Sequence, residues 1–357
     1  MKSNNIKTYV LAGLVCCGIS VTTTSCNNEW EDEQYEHYIS FKAPLDTDGN
    51  SIGVTTVHVP LTRFNEDGTP RYGAEGMSSY ELPVIVSGST HNDNDINVHI
   101  IHDPDTLNTL NYARFNTRTE LYYTDMASFA SFDEVLHIAS GQDIAMLHIN
   151  LDFRNADFVN RYVLPLTIAE GDGYERNPRK NYAKALLRIL PYTTFSGAYE
   201  SGNIHFYLVQ ADGTDEGQSG AFASAVHMYA IDENTAFFYA GNNDESRLDR
   251  QNYKVYAHFT YDSNSGSSGA KTGKVTFTAD NPELNFSAQE ATFRIMEEDD
   301  ATESYIRRRT VIIQDIDYHY TDYTMAKGSS FTYHVTGTLT MERKLNTQMP
   351  EEDQVEW

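Results

Sequence analysis

From residue 331 to 343, apolar and polar side chains alternate one for one. Tyr333, Val335, Gly337, Leu339 and Met341 fall on one side, and His334, Thr336, Thr338, Thr340 and Glu342 on the other. Successive side chains of an extended chain point to opposite faces, so this run predicts an antiparallel strand with one face buried and one wet. The same period recurs along the chain, while helical periodicity is scarce. Strand-like runs occupy 51–61, 80–87, 96–102, 145–153, 161–169 and 183–190, then 204–210, 225–231, 236–240, 253–261, 274–279, 291–296 and 309–316. One helix is expected over 105–115, with Asp105 as its cap and Leu107 and Leu110 on one face. Leu190-Pro191-Tyr192 breaks the pattern, and Phe195-Ser196-Gly197-Ala198-Tyr199 opens a new, aromatic-rich one. The expected fold is therefore all-β. An N-terminal antiparallel β-sandwich (37–190) is followed by a second β-sandwich or β-barrel (193–345) and an acidic tail (346–357), and alternation alone leaves sandwich or barrel open.

The first residues read as an address. Lys2 and Lys7 precede an apolar run over 9–21, which is signal-peptide length and too short to span a bilayer. Thr22-Thr23-Thr24-Ser25-Cys26 follows. Lipid transfer needs a thiol acceptor with a small residue before it, and Ser25-Cys26 meets that need. Residues 1–25 are thus expected to be a lipoprotein signal peptide, with Cys26 the lipidated N-terminus. The site resembles the relaxed lipobox of Bacteroidetes. The acidic tether at 26–36, with Glu29, Glu31, Asp32 and Glu33, resembles the tag that sends such lipoproteins to the outer face of the outer membrane. An acidic tether that simply stays solvated is the plainer reading of the same residues.

Charge and cysteine content then narrow the function. Without its leader the chain keeps 24 basic against 51 acidic residues, a formal charge of −27. Nucleic acid and anionic lipid surfaces both need clustered Lys and Arg, so neither is an expected partner. Acylation consumes the single cysteine left after cleavage. Disulfides and Cys-based zinc sites are thereby excluded, and core burial alone must hold the fold. No HExxH, Walker A or GxGxxG pattern occurs, and Gly217-Gln218-Ser219-Gly220-Ala221 lacks the second glycine of a nucleophile elbow. Asp315 and Asp317 lie two apart beside Arg307–Arg309 and read as a solvated strand face. No catalytic residue and no cofactor is assigned. Asp46-Thr47-Asp48-Gly49-Asn50 and Asn92-Asp93-Asn94-Asp95 are oxygen-rich, but both fit Asx turns. No pair among the twelve histidines has the sequence spacing of metal ligands, so no metal site is assigned.

Aromatics are the remaining signal, with 24 Tyr and 17 Phe against 2 Trp. A sugar ring stacks its C–H face on an exposed aromatic while its hydroxyls bond nearby polar groups. Tyr318, Tyr320, Asp322 and Tyr323, together with Tyr239 at the end of Phe237-Phe238-Tyr239, are the candidate ligand-binding residues. The competing reading places these rings in the core, as most Tyr of such a domain are.

Tyr80-Glu81-Leu82-Pro83-Val84, Leu107–Tyr112 (LNTLNY), His137-Ile138-Ala139-Ser140-Gly141 and Tyr162-Val163-Leu164-Pro165-Leu166 resemble an N-terminal β-sandwich domain of unknown function in Bacteroidetes surface lipoproteins. The segment after 195 is similar to the aromatic-rich domain that often follows it. The resemblance implies a non-catalytic protein that binds glycan beside a SusC/SusD-like uptake complex. The alternative is a surface adhesin or assembly component that binds protein.

Overall fold

The computed structural model describes residues 37–42, 53–88, 90–179, 182–263, 270–351 and Gln354. Cys26, its acidic flank and the oxygen-rich turn 46–50 lie outside the described residues.

The first half contains β1 (Tyr38–Phe41), β2 (Val54–Pro60), β3 (Met77–Val86), β4 (Ile96–His102), helix α1 (Pro104–Phe115), β5 (Tyr123–Asp125), β6 (Ala130–Phe132), β7 (Val135–Ile138), β8 (Ile144–Asp152), β9 (Arg161–Ile168), β10 (Glu175–Arg176) and β11 (Lys184–Tyr192). These build one sheet in the order β10-β1-β3-β8-β6 and a second in the order β2-β11-β9-β4-β7, with β5 also beside β9. Most pairings are antiparallel, and β1–β10, β2–β11 and β5–β9 are parallel. The sheets face each other across one core. Ile39, Leu82, Val84 and Ile149 come from the first sheet, and Val57, Ile100, Leu164 and Ile189 from the second.

All eight residues of β9 are buried, which is why its sequence runs apolar rather than alternating. Its inner face joins the core, and on its outer face Val163 packs with Leu107 and Phe115 of α1. The helix thus covers the back of the second sheet. Its cap is Asp103 rather than the expected Asp105: the Asp103 carboxylate accepts from the Thr106 N–H at 3.2 Å and the Thr106 hydroxyl at 2.6 Å. Pro104 decides this, since a proline suits the first helical position, where its missing N–H has no intrahelical acceptor.

The second half contains β12 (Gly197–Leu208), β13 (Ala225–Asp232), β14 (Thr235–Tyr239), β15 (Lys254–Tyr261), β16 (Lys271–Thr278), β17 (Ser287–Ala288), β18 (Ala291–Asp299), β19 (Ile306–Ala326) and β20 (Ser329–Asn346). Eight of these, in the order β19-β18-β16-β15-β14-β13-β12-β20, close through β19–β20 into an antiparallel barrel, and the short β17 pairs with β19. Of the two forms the sequence allowed, the second domain is the barrel. Eight strands enclose just enough room for side chains, and aromatic rings fill it. Phe195 stacks on Phe259 at 3.8 Å between centroids, and Phe238, Phe277 and Tyr318 pack edge to face or tilted nearby. About 10 Å³ remains free among Ile204, Phe238, Tyr318 and Val335, so this part of the barrel interior is a packed core.

The acidic tail does not simply trail off. Arg309 pairs with Glu351 at 2.7 Å, and the buried Gln354 side chain accepts from the Asn346 N–H at 2.9 Å.

Candidate binding site

The structure places the aromatic cluster of β19 inside the barrel. Val311 and Ile313 point inward at the start of the strand. A bulge between Ile313 and Ile316, with Asp315 at φ 60°, then reverses the alternation. Beyond it Ile316, Tyr318 and Tyr320 face in, and Asp317 and His319 face out. The Tyr318 hydroxyl accepts from the Gly241 N–H at 3.2 Å. Gly241 sits at φ 63°, and a Cβ there would lie 1.9 Å from the Tyr320 hydroxyl oxygen, so only glycine lets the β14–β15 loop close over these rings.

Asp322 is 1 % exposed and serves the same closure. Its carboxylate accepts from Arg247 at 2.7 and 3.1 Å, from the Tyr253 hydroxyl at 2.7 Å and from the Met325 N–H at 2.9 Å. Burial pushes this carboxyl up, but the hydrogen bonds and charge of Arg247 outweigh it and hold it below the ordinary range. Tyr323 is half-buried, stacked on Tyr253 at 6.0 Å, and its hydroxyl accepts from Asn281 at 2.8 Å.

Tyr239 is buried for another reason. On β14, Ala236 and Phe238 face the barrel interior, while Phe237 and Tyr239 face the first domain and join its core together with Ala230. With both faces covered, the strand reads as an unbroken apolar run. Tyr239, Tyr318 and Tyr320 therefore offer no open ring face, and Asp322 is already spoken for by Arg247. This corrects their assignment as ligand contacts. A strand that fills a barrel and one that lines a groove carry the same alternation, and only closure of the sheet tells them apart.

An open concave site lies where the two halves meet. Pro60 at the end of β2, Leu61, Thr62 and Phe64 beyond it, Tyr192 at the end of β11 with Thr193 and Thr194 after it, Glu233 in the β13–β14 turn and Glu351 of the tail line a cleft of about 330 Å³. Pockets of ~300–1,000 Å³ at domain junctions are usual places for small ligands. Each wall is fixed. The Leu61 N–H donates to the Tyr192 carbonyl at 2.8 Å, and the Tyr192 hydroxyl donates to the Glu351 carbonyl at 2.9 Å. Arg343 lies over the Tyr192 ring at 5.4 Å, and Arg309 clamps the Glu351 side chain. Thr62 bonds one side of the Glu233 carboxyl, whereas Glu233 Oε1 is buried without a hydrogen-bond partner among the described residues. Burial raises the Glu233 pKa, helped by the nearby Glu75 and Asp232. The cleft thus combines the half-buried Thr194, two carboxylates, one of them incompletely bonded, and the partly exposed ring of Phe64, while the buried Thr62 and Thr193 hydroxyls already accept from the Gly76 and Phe195 N–H groups. Sequence reasoning passed over these residues because they sit in turns, a linker and a tail that converge only in the fold.

Comparison with known proteins fits this architecture. The model of a domain of unknown function, DUF4973, matches residues 30–172, and that of a C-terminal domain matches residues 183–340. No curated protein matches the chain. Among solved structures, an auxiliary nutrient binding protein from Bacteroides thetaiotaomicron is 41 % identical, with a TM-score of 0.78 over 90 % of this chain and 100 % of that one. A multidomain protein including DUF1735 from Bacteroides ovatus is 34 % identical, with a TM-score of 0.73 over 90 % of this chain and 100 % of that one. A protein of unknown function from the same species is 30 % identical, with a TM-score of 0.73 over 92 % of this chain and 98 % of that one.

Proposed function

Because the chain belongs to the same family as the auxiliary nutrient binding protein of Bacteroides thetaiotaomicron, we propose that it is a non-catalytic lipoprotein of the outer membrane. In this reading Cys26 holds it on the exterior face, where it captures glycan for a neighbouring SusC/SusD-like uptake complex. The observation that carries the reading is the 41 % identity to that binding protein across its entire length.

The interdomain cleft is the site we assign to the glycan. The carboxylates and Thr194 suit sugar hydroxyls, and the Phe64 ring suits a C–H face. Glu233 lines the cleft, and its Oε1, buried without a partner among the described residues, accepts from a sugar hydroxyl once the side chain turns outward. With Glu233 and Glu351 both in its walls, the cleft favours neutral over sulfated or uronic glycans. On an array of neutral and acidic oligosaccharides, binding is expected to be confined to neutral ones. Glu233→Gln should weaken it about ten- to hundredfold, the range for a hydrogen bond to a charged group. Its melting temperature should stay unchanged or rise, because the variant removes a carboxylate that burial disfavours. Wild-type affinity in both Glu233→Gln and Phe64→Ala removes the cleft from consideration.

Anchoring is tested apart from binding. Cys26→Ala should abolish palmitate labelling and release the protein from membranes. Alanines at Glu29, Glu31, Asp32 and Glu33 should leave labelling intact but reduce cleavage by external protease. A Cys26→Ala protein that still labels and sediments with the outer membrane ends the lipoprotein reading.

A further inference from the structure

The outward face of β19 and β20 carries a cluster that the cleft does not use. His319 and His334 are directly opposed in the antiparallel register, and their rings stack with centroids 4.0 Å apart and planes 6° from parallel. Such cross-strand neighbours hold their side chains within reach of a common third group. Asp215 reaches them from the turn after β12, where a bridge to Val209 and the Gln210 N–H to Thr214 carbonyl bond fix it. One ligand atom from each of Asp215, His319 and His334 lies within 4.8 Å of the other two, and no other trio of His, Cys, Asp or Glu among the described residues does so.

We propose that Asp215, His319 and His334 bind a borderline divalent transition cation of the zinc type. The arrangement around His334 carries the argument. Its Nε2 lies 3.1 Å from Asp317 Oδ1, and its Nδ1 lies 2.8 Å from Asp215 Oδ2. A carboxylate only accepts here, so in the neutral tautomer that keeps its proton on Nε2 for Asp317, Nδ1 is the atom left to face a metal beside Asp215. That is the carboxylate–histidine–metal relay that orients metal-bound imidazoles. Two nitrogens and one carboxylate oxygen with an open fourth position suit zinc, whose bonds of about 2.0–2.1 Å put tetrahedral ligand atoms roughly 3.3 Å apart. From within 4.8 Å of one another the ligand atoms close by up to about 1.5 Å, which takes a rotamer change of the exposed Asp215 and a tilt of the half-buried, stacked His319 and His334 rings. Calcium and magnesium prefer all-oxygen shells and are disfavoured. On binding, the cation takes the place of any proton on Nδ1, which leaves to solvent; no bond is broken and no redox step occurs. The register hides this site from sequence spacing, because fourteen residues separate two histidines that the β19–β20 hairpin makes adjacent.

The test is calorimetric titration of Zn²⁺ into the metal-stripped, purified full chain, with Ca²⁺ and Mg²⁺ as comparators and melting curves for every variant. One equivalent of zinc should bind and raise the melting temperature, with neither effect from calcium or magnesium. His319→Ala and His334→Ala should each weaken binding by at least about tenfold, and Asp317→Asn by about tenfold through the relay, the range for groups that orient a ligand. Repeating the titration in buffers of different ionisation enthalpy should reveal proton release in wild type. Absence of saturable zinc binding overturns the proposal, as does one-equivalent binding that survives unchanged in both folded histidine variants.

Discussion

Replacing Asp322 with alanine is expected to lower the free energy of unfolding by about 3 kcal/mol, at the lower end for removing one partner of a buried ion pair. The carboxylate is almost wholly enclosed and accepts from Arg247, Tyr253 and the backbone of the β19–β20 hairpin. Without it the Arg247 guanidinium keeps Asp249 at 2.8 Å and the Asn243 side chain, which is why the loss is not larger. Urea denaturation at pH 7 measures the effect. Asp322→Asn, which keeps the shape, separates charge from packing and should recover only part of the loss. The acid limb gives a second readout. The folded carboxyl is held below its ordinary range, so its contribution is complete above that range and disappears as pH falls through the folded value. Wild-type stability should therefore fall below about pH 4, and the Asn variant should show a shallower slope there. A variant within about 0.5 kcal/mol of wild type, the scatter of ordinary surface changes, would mean that this network does not close the barrel.

Much of the architecture is legible in the strand period, and the places where it is not share a physical cause. β20 alternates from end to end, and its inward set Val335, Leu339 and Met341 is the one the sequence singles out. Gly337 interrupts that set for a reason alternation cannot show: at φ 139° it lets β20 approach β12 so closely that a Cβ would lie 2.1 Å from the Asn203 carbonyl oxygen. β19 alternates too, but its bulge at Asp315 exchanges the faces halfway. The even-numbered Tyr318 and Tyr320 then enter the barrel while His319 and Asp317 leave it. A single extra residue in a strand leaves no mark on composition, yet it decides whether an aromatic is core or surface. β14 shows the opposite limit. Its Phe237-Phe238-Tyr239 run departs from alternation because each face meets a different partner, and that departure was the readable sign of a buried junction between the halves. The cleft and the histidine pair were illegible because their members are brought together by sheet register and by the return of the tail, across separations no local window spans.

That junction carries the other large expected effect. Arg188 on β11 forms a two-pronged pair with Glu245 of the β14–β15 loop, one prong at 3.2 Å, and the Tyr229 hydroxyl donates to the same carboxylate at 3.3 Å. Around it, Phe237 and Tyr239 pack into the first domain, Arg250 donates to the Val159 and Glu120 carbonyls at 3.0 and 2.9 Å, and Lys254 pairs with Asp157. Arg188→Ala leaves the half-buried Glu245 carboxylate with the Tyr229 hydroxyl as its remaining donor. At pH 7 this should cost about 2 kcal/mol, less than for a fully buried pair, because the Glu245 side chain is 32 % exposed and the charge of Arg161 still acts on it. The pH dependence flattens with it. In wild type burial pushes Glu245 up, but Arg188 outweighs that and holds the folded carboxyl below its ordinary value, so stability rises with pH through the carboxylate range. In Arg188→Ala burial is opposed only by the charge of Arg161 and the Tyr229 hydrogen bond, so the folded value moves up and most of the rise of stability with pH is lost. The deficit of the variant should thus be small near pH 4 and full by pH 7. An apolar pair, Arg188→Met with Glu245→Leu, should restore most of the loss and flatten the pH response, since neither side chain then needs a charged partner. Denaturation curves for wild type, the single variant and the double variant at pH 4, 5.5 and 7 measure all of this. A deficit in Arg188→Ala that does not change with pH would show that packing, and not the charge left on Glu245, is what the arginine supplies.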